Sequence, residues 1–350
     1  MTAHAPIRPH RLAEIPRRLC VKAGQVGDAL VRVHRAGSAD ALHWPYEGQA
    51  SVRISGIGSL GTVGTPEPVP IASITKAMTA FTVLQRHPLT LHDSGPSVRI
   101  DALAAAQSES TIESVVRVRE GQEFPLRTLL EFLLVPSGNN IARLLARWSA
   151  GSEAAFVARM NHTAAELGMT RTTFTGSCGM DPGNRSTAPD LLRLAEAAMH
   201  DEVFRAVVTT ASVPLPDGTT GRTTNRLLGR DGVIGLKTGT TTPAGGNVLW
   251  AATVDVDGVR RLALGAVLAQ RPGRSPVRAR AAVWAHTHRM IRSIHSAPPG
   301  ALASALAPVP PPVPAPGPGP GPVSVSGPVS VSGTAWARRP VHIRLKETTP

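Results

Sequence analysis

Three short clusters of reactive side chains stand out along the 350 residues. Ser73-Ile-Thr-Lys76 opens a segment patterned as a helix. A serine hydroxyl is a poor nucleophile until a base takes its proton. Residues three apart on a helix share a face, so the Lys76 amine can reach the Ser73 hydroxyl. A helix N-terminus adds partial positive charge and unsatisfied backbone N–H groups, which stabilise an oxyanion and lower a lysine pKa. Ser137-Gly-Asn139 follows an apolar stretch and Pro136. A loop serine beside an amide can relay a proton and hold a substrate amide. Lys237-Thr-Gly239 closes a segment patterned as a strand, and Thr240-Thr-Thr242 follows it. Lysine and threonine on an edge strand suit a carboxylate, and glycine admits a ligand close to the backbone.

Each cluster also has a plain structural reading. Ser73 and Lys76 fit a helix cap and a surface lysine, and Ser137-Gly-Asn139 fits an ordinary turn. Chance yields the first pattern about 0.3 times in such a chain and the third about 0.03 times. Their joint occurrence carries the weight. Only four of the 37 basic residues are lysine, and two of those four lie in these clusters. Arginine cannot give up its proton, whereas a buried lysine can.

The elements that must position these residues follow from periodicity and punctuation. Val52, Ile54 and Ile57, with Gly56, Gly58 and Gly61, predict short strands and a tight turn. Ser73 to about Gln85 reads as a helix ended by His87-Pro88. Leu126–Val135 and Asn140–Trp148 read as two more helices. Glu153–Leu167 is amphipathic through Phe156, Met160 and Ala164, and Gly168 ends it. Thr187-Ala-Pro-Asp190 starts the next helix. The period then changes to two. Val233–Thr238, Val248–Val256 and Arg261–Leu268 read as strands, with Asp257-Gly258 as a hairpin turn. Ala279 to about Ile294 is a final helix. Strands, then helices, then consecutive strands predict an α+β fold, one sheet with a helical insertion, not alternating βαβ units.

Composition excludes several classes. The chain has 350 residues, 42% of them hydrophobic, enough for one large core or two modest ones. Two cysteines, Cys20 and Cys178, exclude a disulfide scaffold and a multi-cysteine zinc site. No apolar run approaches the length of a membrane span. The formal charge of +13 comes from an arginine bias without a recognition motif, so no nucleic-acid partner is expected. Residues 1–43 show no clean periodicity and are expected to be disordered. Arg17-Arg18 faintly echoes an export signal, but Asp28, Arg32 and Arg35 stand where an apolar segment belongs. The globular domain is expected over 44–295. The Pro-, Gly-, Ser- and Val-rich stretch 296–350 is expected to be a disordered tail.

The order and spacing of the three clusters resemble the penicillin-recognising serine acyltransferases. The flanking sequence narrows this. Pro70-Ile-Ala-Ser73-Ile-Thr-Lys76, Val135-Pro-Ser-Gly-Asn-Asn140, Leu167-Gly-Met-Thr-Arg-Thr172, Ser186-Thr-Ala-Pro-Asp190, Asn225-Arg-Leu-Leu228 and Gly235-Leu-Lys-Thr-Gly239 resemble the low-molecular-mass D-alanyl-D-alanine carboxypeptidases. The likeness covers about residues 44–290 and neither terminus. It implies a β-lactamase/transpeptidase-like fold, an antiparallel sheet with flanking helices and an inserted helical lobe. Ser73 would be the nucleophile and Lys76 its general base. Ser137 would relay a proton to the leaving D-alanine, and Asn139 would hold the acyl-chain amide. Lys237 would organise the charge of the site, and Thr238 would bind the terminal carboxylate. The backbone N–H groups of Ser73 and Thr240 would form the oxyanion hole, and Arg274 is the candidate for further carboxylate binding. The implied substrate is a peptidoglycan stem peptide ending in D-Ala-D-Ala, with β-lactams as inhibitors. No cofactor, metal or stable protein partner is implied, and the setting would be outside the cytoplasmic membrane.

The rival readings are a transpeptidase, a class A-like β-lactamase and a non-catalytic wall-binding protein. A class A enzyme needs a glutamate that activates the deacylating water, with asparagine four residues on. Glu166 is followed by Leu-Gly-Met-Thr170 instead. No Gly-x-Ser-x-Gly elbow supports a Ser-His-Asp hydrolase. His286-x-His288 is expected to be a solvated helix end, not a metal site.

Overall fold

The computed structural model describes residues 42–298 and 300–302. The expectations of disorder for 1–43 and 296–350 therefore fall almost entirely outside the described residues. At the inner ends, Leu42 and Leu302 are both buried in the core.

The chain opens with a hairpin, β1 (Gln49–Ile54) and β2 (Gly58–Val63). After β3 (Val69–Pro70), a 3₁₀ turn over Ala72–Ile74 leads into α1 (Thr75–Arg86). A run of helices follows, interrupted by short strand pairs. It begins with β4 (Ser97–Arg99), α2 (Ala102–Gln107) and β5 (Glu123–Pro125). Next come α3 (Leu126–Leu134), α4 (Asn139–Ala150) and α5 (Glu153–Glu166). The run closes with β6 (Arg185–Ser186), α6 (Ala188–His200) and α7 (Glu202–Val208). A small hairpin, β7 (Ser212–Pro214) and β8 (Thr220–Arg222), precedes three long strands. These are β9 (Val233–Thr241), β10 (Gly245–Val256) and β11 (Val259–Gln270), and α8 (Pro276–His295) follows them.

The main sheet has the order β2-β1-β11-β10-β9 and is antiparallel at every described pairing. β1 lies against β11 with Gln49 opposite Leu268 and Ile54 opposite Ala263. Period-two patterning gives the sheet two apolar faces, each needing a cover. Leu249, Ala251, Leu264, Ala266 and Leu268 face the helices of the insertion, including α1 and α6. Val52, Ile54, Trp250 and Val267 face the other way and are covered by Val283, Met290, Ile291 and Ile294 of α8.

The three long strands run further than their apolar periodicity indicates. Gly245 and Gly246 pair with Thr241 and Thr240, which carries β9 and β10 past the reactive cluster. The Asp257-Gly258 turn has positive φ at both residues, as the tight primed hairpin requires. His286 departs from expectation: it is buried, bonded to Gln270 and edge-on to Tyr46. The helical period places it one turn after Val283, on the face turned to the sheet. Only His288 sits toward solvent, 2.6 Å from Asp231.

Candidate active site

The 3₁₀ turn and α1 place the first cluster. Ala72, just before the serine, holds φ +48°, a left-handed conformation uncommon for a residue with a Cβ. Ser73 does not cap the helix with its side chain, so its hydroxyl is not spent on the backbone. Lys76 Nζ lies 2.9 Å from Ser73 Oγ and donates to the Cys178 carbonyl at 2.8 Å. Lys76 is fully buried, whereas Ser73 is partly exposed. Burial pushes the Lys76 ammonium down to about 8; the nearby Arg143 guanidinium adds to this, while Cys178 and Glu113 oppose it. At neutral pH roughly a tenth of such an amine is free to accept a proton.

The segment that receives Lys76 is braced. Thr79, one turn further along α1, donates to the Ser177 carbonyl at 2.6 Å. Glu153 at the start of α5 accepts from both the Ser177 amide and its hydroxyl. Cys178 is a buried free thiol in the apolar cluster, where a small side chain fits.

The second cluster is the turn between α3 and α4. Ser137 is buried there with φ +68°. α4 begins at Asn139 and packs on α1. The Asn139 backbone amide donates to the Ser114 carbonyl at 2.8 Å, and Asn140 clamps both backbone groups of Val116. Asn139 Nδ2 donates to Glu113 Oε2 at 3.0 Å. Arg143, one turn further on, makes two bonds to the same carboxylate, at 2.9 and 3.1 Å.

The third cluster lies on β9, an edge of the main sheet. Lys237 is buried, and its Nζ donates to the Thr238 carbonyl at 3.1 Å. Burial and the neighbouring Lys76 charge push its ammonium well below the ordinary lysine value. Two buried amines that feel each other's charge cannot both hold protons cheaply, and an arriving carboxylate would reverse that pressure on Lys237. Thr238 Oγ1 donates to Thr224 Oγ1 at 2.7 Å. Gly239 lies against the turn that carries Ser73, and Thr240 follows directly, paired with Gly246. Asn247 braces the strand from behind, reaching the Gly239 carbonyl and accepting from the Ala269 amide.

Ser73, Lys76 and Lys237 thus converge, with Ser137 and Asn139 on the turn into the adjoining helix. Arg274 is placed differently. It lies exposed in the loop after β11 with no ion-pair partner among the described residues. That loop is tied to the end of β9 by the Gly273 amide donating to the Thr242 carbonyl. Glu113, Arg143, Glu153, Thr224 and Asn247 do not stand out in the sequence. Single polar residues in loops or along helices carry no spacing signal, and only the fold brings them here.

A family model described as D-alanyl-D-alanine carboxypeptidase matches residues 63–267. The chain belongs to that family. Among curated relatives, D-alanyl-D-alanine carboxypeptidase DacC of Escherichia coli is 33% identical over 224 residues, covering 62% of this chain and 54% of the relative. D-alanyl-D-alanine carboxypeptidase DacB2 of Mycobacterium tuberculosis is 35% identical over 202 residues, covering 56% and 65%. The chain spans about half the length of the first relatives it matches. Among solved structures, the Streptomyces K15 DD-transpeptidase superposes with TM-score 0.58 at 26% identity, covering 69% of this chain and 96% of that one. Penicillin binding protein 6B from Escherichia coli gives 0.61 at 30%, covering 71% and 78%. The family fold is the one the sequence predicted, an antiparallel sheet with flanking helices and an inserted helical lobe.

Proposed function

We propose that this chain is a serine-type D-Ala-D-Ala carboxypeptidase acting on peptidoglycan stem peptides. One observation carries the reading: a fully buried lysine amine, pushed down to about 8, sits 2.9 Å from a partly exposed serine hydroxyl. A general base must be near its proton and partly unprotonated at the working pH, and Lys76 meets both conditions.

In this reading Ser73 Oγ attacks the carbonyl carbon of the penultimate D-alanine as its proton passes to Lys76 Nζ. The carbonyl oxygen becomes an oxyanion, held by the backbone N–H groups of Ser73 and Thr240. The C–N bond then breaks, and the leaving D-alanine takes its proton through Ser137. Thr238 and Lys237 hold the substrate's terminal carboxylate, with Arg274 near the end of the same strand, and Asn139 holds the acyl-chain amide. Water cleaves the resulting ester and frees Ser73. Penicillins would acylate the same oxygen and leave slowly.

A transpeptidase differs only in an amine replacing that water, and a solved neighbour carries that description. The class A reading is the weaker. Glu166 lies exposed at the end of α5, 3.3 Å from His162, as an ordinary surface pair. A stem-peptide substrate implies a place outside the cytoplasmic membrane. No helix among the described residues is long and apolar enough to cross one.

The test is intact-mass analysis after incubation with benzylpenicillin, with the modified peptide mapped, beside an assay of D-alanine release. A stable adduct on Ser73 with release of D-alanine is expected. Release that turns to peptide joining when an amine acceptor is supplied favours the transpeptidase. A folded chain that neither binds nor consumes penicillin overturns the reading.

A further inference from the structure

The backbone of residues 177–179 touches both members of the Ser73–Lys76 pair. The Cys178 carbonyl accepts from Lys76 Nζ at 2.8 Å. Gly179, at φ +87°, turns tightly against the start of the 3₁₀ turn. A Cβ on it would fall 2.0 Å from the Ala72 carbonyl oxygen and 2.9 Å from the Ser73 nitrogen. Whatever holds these three residues therefore sets where the Lys76 amine stands relative to the Ser73 hydroxyl.

Two side chains from different helices hold them. Ser177 is fully buried, and each of its polar groups is engaged. Its carbonyl accepts from Thr79 Oγ1 at 2.6 Å. Its amide and its hydroxyl both donate to Glu153 Oε1, at 3.1 and 2.6 Å. Thr79 lies one turn after Lys76 on α1, so the two side chains donate to consecutive carbonyls from one helix face. Glu153 reaches in from the first turn of α5, and its hydrogen bonds among the described residues go to Ser177 alone. A neutral amine has two N–H groups and one lone pair. Spending one N–H on a fixed carbonyl stops rotation about the Cε–Nζ bond and so aims the lone pair, a direction that a flexible four-carbon stem does not supply.

We propose that Glu153 is a positioning residue for acylation: through Ser177 it fixes the Cys178 carbonyl, which aims the Lys76 amine at the Ser73 hydroxyl. The inference rests on the acyl-enzyme reading above, and it extends that chemistry to a residue outside the three clusters. Glu153 only accepts the two bonds from Ser177, so the role needs an acceptor oxygen and not a charge.

Benzylpenicillin acylation of the full chain tests it, resolved into the affinity of the first complex and the rate constant of the covalent step. Both are measured across pH for wild type, Glu153→Ala and Glu153→Gln. Glu153→Ala should lower the covalent step by about tenfold or more and leave the first affinity within about twofold, because reacting groups tolerate little displacement. Its pH midpoint should fall below that of wild type, because an ammonium that loses a carbonyl acceptor gives up its proton more readily. Arg143, Glu113, Cys178 and Lys237 act on Lys76 in all three chains alike. Glu153→Gln should match wild type in rate and midpoint, because its carboxamide oxygen still accepts both bonds. If Glu153→Ala does not fold, Thr79→Val against Thr79→Ser makes the same comparison on the neighbouring carbonyl. An unchanged covalent step, an equal loss in Glu153→Gln, or a midpoint that stays or rises toward 10.5 overturns the proposal. If the wild type is not acylated, the reading of Ser73 fails separately. Titration of the isotope-labelled Lys76 amine by NMR in the same variants then decides the positioning role by its midpoint, in a chain with only four lysines to assign.

Discussion

Gly239 lies directly against the backbone of Ser73. A Cβ on Gly239 would fall 2.8 Å from the Ser73 nitrogen and 2.6 Å from the Ile71 carbonyl oxygen. The strand carrying Lys237 and the turn carrying Ser73 are therefore in backbone contact, with no room for a side chain between them. Gly239→Ala should force them apart. We expect it to lower penicillin acylation of Ser73 by about a hundredfold, because small displacements of reacting groups are costly. Stopped-flow acylation with a melting curve checks this. Wild-type acylation in the alanine variant would show that the contact does not set the site.

Lys76→Arg tests the base. Arginine keeps the positive charge and cannot release its proton. Acylation by benzylpenicillin should fall by about 10³-fold or more while circular dichroism stays native. Substantial acylation in this variant would remove Lys76 from its assigned role.

The pH dependence follows from the direction of the Lys76 shift. Only the neutral amine accepts a proton, so the acylation constant should rise with pH and level off above a midpoint near 8. Below it the rate should fall about tenfold per pH unit. Removing the Arg143 cation takes away one cause of the depression, so Arg143→Met should move that midpoint upward. A wild-type midpoint near the ordinary lysine value of 10.5 would mean that burial does not tune this amine.

Gly265→Ala tests the sheet. A Cβ there would fall 2.1 Å from Cζ2 of the fully buried Trp250 on the neighbouring strand. The indole is enclosed and cannot retreat cheaply. We expect a loss of about 3 kcal/mol, the upper range for overpacking a core. Urea denaturation reads it, and a change under about 1 kcal/mol would show that the indole repacks.

The sequence carries part of this site and hides the rest, for identifiable reasons. Lys76 and Ser73 declare themselves because a helix turns spacing in sequence into contact in space. Lys237, Thr238 and Gly239 do so because a strand sets its residues along an edge in order. Long helices such as α5 and α6 show through caps and period. By contrast, α2 has six residues and β7 only three, too few for a period to emerge. His286 reads as solvated in the sequence because its surroundings come from Gln270 and Tyr46, not from its own helix. Glu113 gives no signal, since a lone acid in a loop has meaning only once Asn139 and Arg143 stand beside it.

The pairing of β1 with β11 joins the first and the last strand of the described residues. A ribosome releases Ser73 and Lys76 long before Gly239, and the β1–β2 hairpin lacks its second neighbour until β11 has emerged. The helices can nucleate from neighbouring residues, but the sheet must wait for non-local pairing. Gly239 of β9 meets the Ser73 turn only once that sheet is in place, so the three clusters come together late. The meeting of Ser73, Lys76 and Lys237 is thus a property of the finished sheet, assembled only when the last strand has found its place.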